Sequence, residues 1–191
     1  MIGKKLTIDI LSYWHISSGH GRGGDVDALV LKDTDGLPYL PGRTLKGLIR
    51  EAVQLCVDNG HLDATTVATW FGSQGDGNES GRLVFDNAGL PSAEKTVLKA
   101  TSAAELIDGL YETVAATRID SDTGTAAKTS LRSMEVTVPM TLESIIYGPS
   151  DPDDWIDVLN MAVPLVRALG VNRHRGLGRC RMQLMDGGND Q

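Results

Sequence analysis

Leu37-Pro-Tyr-Leu-Pro-Gly-Arg-Thr-Leu-Lys-Gly-Leu-Ile-Arg50 takes the chain out of an extended segment and into a helix. From Arg43 to Val57 the apolar residues Leu45, Leu48, Ile49, Ala52, Val53 and Cys56 recur at helical spacing, while Arg43, Lys46 and Arg50 fall on a polar side. Pro41-Gly42 punctuates the start and Asn59-Gly60 the end. A helix with one apolar stripe needs a partner layer, and the flanking segments predict what that layer is.

Lys4 to Tyr13 alternates, with Leu6, Ile8 and Ile10 on one face and Lys5, Thr7 and Asp9 on the other, which predicts a half-buried strand. Ser17 to Gly24 is a glycine-rich loop without an apolar residue, Val26 to Leu31 reads as a second strand, and Asp33 to Gly36 is a turn. Beyond the helix, Asp63 to Trp70 predicts a short second helix with Asp63 as a candidate cap, Ser73 to Gly81 a polar loop, and Arg82 to Asp86 a strand. Ala103 to Ala116 reads as helical and Thr117 to Ser130 as an exposed insertion. From Met134 alternation returns, with Val136, Val138, Met140 and Leu142 opposite Glu135, Thr137 and Thr141. Asp154 to Leu169 predicts another amphipathic helix, kinked or divided at Pro164, and Gly176 to Met185 a closing strand. The order approximates βαββαβ with decorations, an α+β class within one domain spanning residues 1–191.

The residues number 191, of which 41% are hydrophobic, 23% charged and 5% aromatic, so the core rests on aliphatic side chains. Cys56 and Cys180 stand far apart, with no CxxC and no histidine at zinc spacing, which argues against a disulfide framework or structural zinc and predicts a reducing, cytoplasmic setting. The opening residues lead straight into a strand pattern, which predicts no leader. No stretch reaches the roughly 18 to 20 apolar residues a membrane span needs. The formal charge of −7 argues against nucleic acid at first sight. The charge is segregated, however: five arginines and no acid lie between Arg167 and Arg181, while acids gather at Asp151, Asp153, Asp154 and Asp157.

Three constellations carry chemistry. Arg43, Thr44 and Lys46 open the helix after Pro41-Gly42, where free backbone N–H groups and cations together suit a phosphate, although a solvated helix face would account for the same residues. Leu169 to Arg181 (LGVNRHRGLGRCR) combines glycines that admit close backbone approach with arginines that fork onto phosphates, pointing to RNA or another polyanion. Gly19 to Asp27 (GHGRGGDVD) puts Asp25 and Asp27 on one side of any strand that starts there. Such a pair can share Mg²⁺ with substrate phosphates, or can simply be an edge-strand charge pair beside a loop.

In combination and order these segments resemble the RAMP superfamily of CRISPR-associated proteins, in particular the repeated backbone subunit of type III effector complexes. The resemblance rests on the glycine loop with Asp27 and Val30-Leu-Lys-Asp33, on Pro38 to Arg50, and on Trp70-Phe-Gly72 followed by Gly81 to Ala88. It continues through Thr117 to Gly124, Leu131 to Glu135, and Arg175-Gly-Leu-Gly-Arg179. The family usually has a small hydroxyl residue where Arg43 stands and an arginine where Ser121 stands. The resemblance implies a modified ferredoxin-like or RRM-like palm, with an inserted hairpin thumb at about residues 118–132. It implies guide-RNA contacts from Arg22, Arg43, Thr44, Lys46, Arg50, Arg173, Arg175 and Arg179, and thumb contacts from Arg118, Lys128 and Arg132. Further copies of the chain and other effector subunits would be its partners along the guide. The resemblance also implies cleavage of complementary target RNA with Mg²⁺ or another divalent metal at Asp27, the RNA 2′-hydroxyl attacking its own phosphate. Asp25, which the resemblance does not align with the cleaving position, is a second catalytic candidate from the acidic pair. A non-cleaving architectural subunit of the same assembly is one alternative. A standalone guide-processing nuclease leaning on His15 or His20 is another.

Overall fold

The computed structural model describes residues 1–22, 26–73, 80–100, 104–117, 124–125 and 131–185. Its centre is β1 (Ile2–Ile10), whose two edges are both occupied. On one side β1 pairs antiparallel with β5 (Thr141–Gly148), from Ile2 opposite Gly148 to Asp9 opposite Thr141. On the other it pairs with β6 (Cys180–Leu184), from Leu6 opposite Leu184 to Ile10 opposite Cys180. The short β2 (Val84–Phe85) adds to the far side of β5, giving the order β2-β5-β1-β6. With α1 (Gly42–Asp58) between β1 and β2, and α5 (Trp155–Ala162) between β5 and β6, this is the ferredoxin-like βαββαβ palm.

Period-2 patterning explains why one sheet face is covered. Leu6, Ile8 and Ile10 of β1, Leu142 and Ile146 of β5, and Cys180, Met182 and Leu184 of β6 are buried against Leu45, Leu48, Ile49, Val53, Trp155 and Leu159 of the two helices. Lys5 and Asp9 project from the opposite, uncovered face. Each fully buried Leu or Ile contributes about 1.5–3 kcal/mol of transfer free energy, so this layer dominates stability.

Five expectations need correction. Val26 to Leu31 is not a strand; the segment from Leu11 to Leu40 is held by single bridges, among them Ser17 to Val30 and Ala28 to Met134. Residues 104–116 divide into α4 (Ala104–Asp108) and β3 (Tyr111–Ala116) instead of one helix. β3 pairs with β4 (Arg132–Thr137) in a separate two-stranded sheet, so the alternation after Met134 spans two sheets, not one strand. Pro139 lies in the crossing between them, where a residue without an N–H ends a ladder at no cost. Asp63 does not cap by its side chain: α2 (Thr66–Phe71) has no side-chain cap, and its first turn closes on the Asp63 carbonyl. The helix starting at Asp154 ends at Ala162 and tightens into a 3₁₀ turn over Val163–Leu165, with Pro164 inside it, which leaves Leu165 exposed instead of inward. A short α3 (Ser92–Leu98) completes the described elements.

The arginine loop is laced to the segment after β1. Leu11 N–H donates to Arg179 O at 2.7 Å, Gly178 N–H to Tyr13 O at 2.7 Å, Val171 N–H to His15 O at 2.9 Å, and Arg179 N–H to Ser12 Oγ at 3.0 Å. Gly178 makes this possible, with φ of +66° and a backbone so close to Leu169 that a Cβ would run into its carbonyl oxygen. Gly178→Ala should therefore cost more than the about 1–3 kcal/mol of left-handed strain alone. Gly176→Ala, at φ of +91° with open space around it, should cost only that strain. Urea unfolding of the two variants checks this; equal midpoints would mean that the close approach to Leu169 is unimportant.

Candidate nucleic-acid interface

Asp27 is exposed, and Ser133 of β4 holds it twice. The Asp27 N–H donates to Ser133 O at 2.9 Å, and Asp27 Oδ2 accepts the Ser133 N–H at 2.8 Å. This brings the candidate acid beside Arg132, the exposed first residue of β4. Asp25, Arg118 and Lys128 lie outside the described residues, as does nearly all of the segment expected to form a thumb; β3 and β4 are the paired strands that flank it.

What fixes Asp27 is a network that sequence reading missed. Glu135 is buried, although alternation had put it on an open face. Its Oε2 accepts the Val30 N–H at 2.9 Å and its Oε1 accepts from Lys32 Nζ at 2.9 Å. Lys32 in turn stacks 3.6 Å from the centre of the Tyr111 ring, and the Tyr111 hydroxyl donates to Gly36 O at 2.6 Å. Burial first, then Glu135 and Asp33, push the Tyr111 phenol far above its usual range, so it stays a donor. The partners of Glu135 on residues 28–32 lie a hundred residues away, a distance no local pattern can report.

Could the chain hold the expected metal? Among the described residues no three His, Cys, Asp or Glu side chains gather at ligating distance. Asp27 Oδ2 is committed to Ser133, and Oδ1 has no partner among the described residues. One exposed carboxylate fits Mg²⁺ only when substrate phosphates and water complete the shell, the usual arrangement for that ion on RNA.

The cations separate into two flanks of α1. On one, Thr44, Gly47 and Glu51 line a cleft of about 350 Å³ together with His15 and Arg173, whose guanidinium lies 3.3 Å from Glu51 Oε2. An exposed pair of this kind contributes about 0–1 kcal/mol and is easily exchanged for a phosphate. On the other flank Lys46 and Arg50, one turn apart, are half-buried with no acid partner among the described residues. Among the described residues Lys46 Nζ reaches only Leu83 O at 3.5 Å, and Arg50 Nε is buried without a hydrogen-bond partner. Burial first, and Arg50 second, hold the Lys46 ammonium below its ordinary pKa.

The helix start is less open than expected. Gly42 N–H donates to Asn87 Oδ1 at 2.8 Å, and the N–H groups of Thr44 and Leu45 close on Pro41 O. Only the Arg43 N–H is left without a partner among the first-turn donors described, so an anion here depends on side chains. Arg22, Arg43, Arg175 and Arg179 are exposed. His15 is 1% exposed and its Nδ1–H donates to Glu135 O at 2.7 Å; His20 is exposed.

The acidic total does not silence this surface. The arginine loop joins the C-terminal end of β1, and Asp151, Asp153 and Asp154 follow Gly148 at its N-terminal end. A nine-residue strand separates the two ends by about 27 Å, at about 3.3 Å per residue. That exceeds three Debye lengths of about 8 Å in physiological salt.

Fold and surface together define an α+β palm with an open cationic edge and an acid seated at the root of a separate two-stranded ribbon. The chain belongs to the RAMP superfamily, whose family model matches residues 7–181. Comparison with curated proteins finds no sequence match. Among solved structures, one similar chain comes from the cryo-EM structure of the Type III-B Cmr-beta bound to cognate target RNA, with a TM-score of 0.75, 13% identity, and 96% of this chain and 97% of that one covered. Another comes from the Type III-B Cmr-beta apo state, with a TM-score of 0.70, 15% identity, and coverage of 97% and 98%. No helix among the described residues is long and apolar enough to cross a membrane.

Two outcomes are expected. Glu135→Ala should destabilise by about 1–3 kcal/mol by stranding the buried Val30 N–H, and should speed hydrogen exchange at that amide; Glu135→Gln, which keeps an acceptor, should cost less. Unchanged exchange at Val30 would dissociate Glu135 from the placement of Asp27. Lys46 has its charged form disfavoured by folding, so it costs stability below its folded-state pKa and the loss is relieved as pH rises toward 10.5. Arg50→Met should move the Lys46 titration upward, as followed by NMR of the lysine ε-methylene, and an unmoved titration would rule out the coupling.

Proposed function

We propose that this protein is a guide-RNA-binding backbone subunit of a type III CRISPR ribonucleoprotein and cleaves complementary target RNA at Asp27. Membership of the RAMP superfamily and the likeness over nearly the whole chain to subunits of a Cmr-beta particle support the assembly. The observation that carries the chemistry is the double hydrogen bond between Asp27 and Ser133. It holds an exposed carboxylate at fixed orientation beside Arg132 and the ribbon that flanks the thumb segment, with Oδ1 unengaged among the described residues.

In this reading the α1 cations and the arginines of the loop after Leu169 hold the guide by its phosphates, largely regardless of its sequence. Arg118, Lys128 and Arg132 contact the paired strands at the thumb. A divalent ion, when bound, would neutralise charge between Asp27 and the scissile phosphate. Asp27 Oδ1 either supports that ion or takes the proton of the RNA 2′-hydroxyl, while the Ser133 N–H keeps the carboxylate oriented. Asp25 assists. Further copies of the chain and other effector subunits extend the particle along the guide.

One observation favours a second reading. Asp27 already caps the Ser133 N–H, a structural duty that an architectural, non-cleaving subunit would also need. Cleavage of a labelled complementary RNA by the assembled particle, with and without EDTA, separates the two. Asp27→Ala should lower cutting by about 10²-fold or more while guide assembly and target binding stay intact. Asp25→Ala should have the smaller effect. Undiminished cutting by Asp27→Ala would sink the catalytic assignment, and a wild-type particle that binds but never cuts would establish the architectural reading.

A further inference from the structure

A cleft of about 870 Å³ lies away from α1, along the outer edge of β6. Arg167, Arg179 and Arg181 line it with Gln183 and a single carboxylate, Asp9. None of the three arginines lies within ion-pair distance of an acid among the described residues. Asp9 is the cross-strand neighbour of Arg181, yet its Oδ1 accepts from the Thr141 hydroxyl at 2.9 Å. Arg173 of the same loop, by contrast, is paired with Glu51. Three exposed cations without an ion-pair partner among the described residues leave the groove positive in a chain of net charge −7.

The groove also continues other clefts. Glu51 and Arg173 belong both to the α1 cleft and to a neighbouring one of about 350 Å³, which is lined in addition by Arg167 and His174. Arg167 in turn belongs to the β6-edge groove. A furrow therefore runs from Thr44 past Arg173 and Arg167 to Arg179 and Arg181. The floor is fixed: Cys180 N–H donates to Arg167 O at 2.9 Å and Leu169 N–H to Gly178 O at 2.9 Å, so the arginine heads move over a rigid backbone.

We infer that the β6-edge groove carries the backbone of single-stranded RNA onward from the α1 cleft, with Arg167 and Arg181 as phosphate contacts beyond those already assigned. This rests on the RNA-binding reading above. A polyanionic strand suits a long furrow whose cations recur along its length, and arginine forks onto phosphate without reading sequence. A short acidic peptide would engage one end only.

The test is fluorescence anisotropy of labelled RNA of about 5 and about 15 nucleotides over a range of salt, lengths that a short and a long path separate. The full chain is compared with R167A/R181A and with K95A/K99A, which removes the same charge from α3 and the residue after it. For the long RNA, R167A/R181A should flatten the plot of log affinity against log salt by about 1.4, the slope of two single-strand phosphate contacts. For the short RNA it should do little, and K95A/K99A should change neither. Circular dichroism should be unaltered, since both arginines are exposed. Binding the guide first and a complementary strand second tells which strand uses the groove, by the step R167A/R181A weakens. A wild-type slope for the double variant at both lengths overturns the groove while leaving the RNA reading standing. Loss of association with a second copy or a neighbouring protein, at unchanged RNA affinity, overturns it in favour of a protein dock. Failure of the wild type to bind RNA of either length takes both readings down.

Discussion

A buried carboxylate sets the terms for the irregular half of this molecule. Glu135 sits at 7% exposure, and an acid taken that far out of water is costly unless charged and neutral donors surround it. The Val30 N–H and Lys32 Nζ supply those donors, and both come from a segment with no regular strand of its own. Only one position of residues 28–32 satisfies Glu135. Once they are there, the bridge from Ala28 to Met134 and the bond from Asp27 to Ser133 are in register as well. The exposed acid is thus aimed by a buried one, through the backbone of β4.

The palm supplies the other requirement, a fixed floor for cations. Arginine side chains on a loop would lose much conformational entropy on meeting RNA if the backbone had also to be ordered. Here the turn from Leu169 to Cys180 is bonded at several points to residues 11–15 and to Arg167 before any ligand arrives. Glycines at 170, 176 and 178 take positive φ, and those at 170 and 178 also stand where a Cβ would run into neighbouring backbone. The basic edge is therefore built into the fold, and the acidic turn after β5 lies too far along β1 to neutralise it.

Legibility followed periodicity. α1 was readable almost to the residue because six apolar positions repeat at helical spacing, and β1 and β6 were readable as strands because alternation survives wherever one sheet face is wet. Val26 to Leu31 imitated a strand because the apolar residues that fasten an irregular segment to β4 are spaced like those of a ladder. Residues 111–116 imitated a helix because Tyr111, Val114 and their neighbours are short of strict alternation in a ribbon that is half exposed on both faces. Of the candidate site, the arginines were legible as a run without acids. Lys46 and Arg50 were legible as residues but not as a half-buried pair lacking an acid.

The sequence by itself determined the βαββαβ order of the palm and which loops carry cations and glycines, because these depend on spacing along a few turns or a single strand. Only the tertiary structure decided that Glu135 is buried, that Asp27 is clamped by Ser133, that the first-turn N–H groups of α1 are mostly spent on Asn87 and Pro41, and that Arg173 and Arg167 join separate clefts into one furrow. The contacts of Glu135, Asp27 and Asn87 join residues 45 to 106 positions apart. Their free energy comes from desolvation and hydrogen-bond geometry at the point of meeting, and neither exists until the palm has closed.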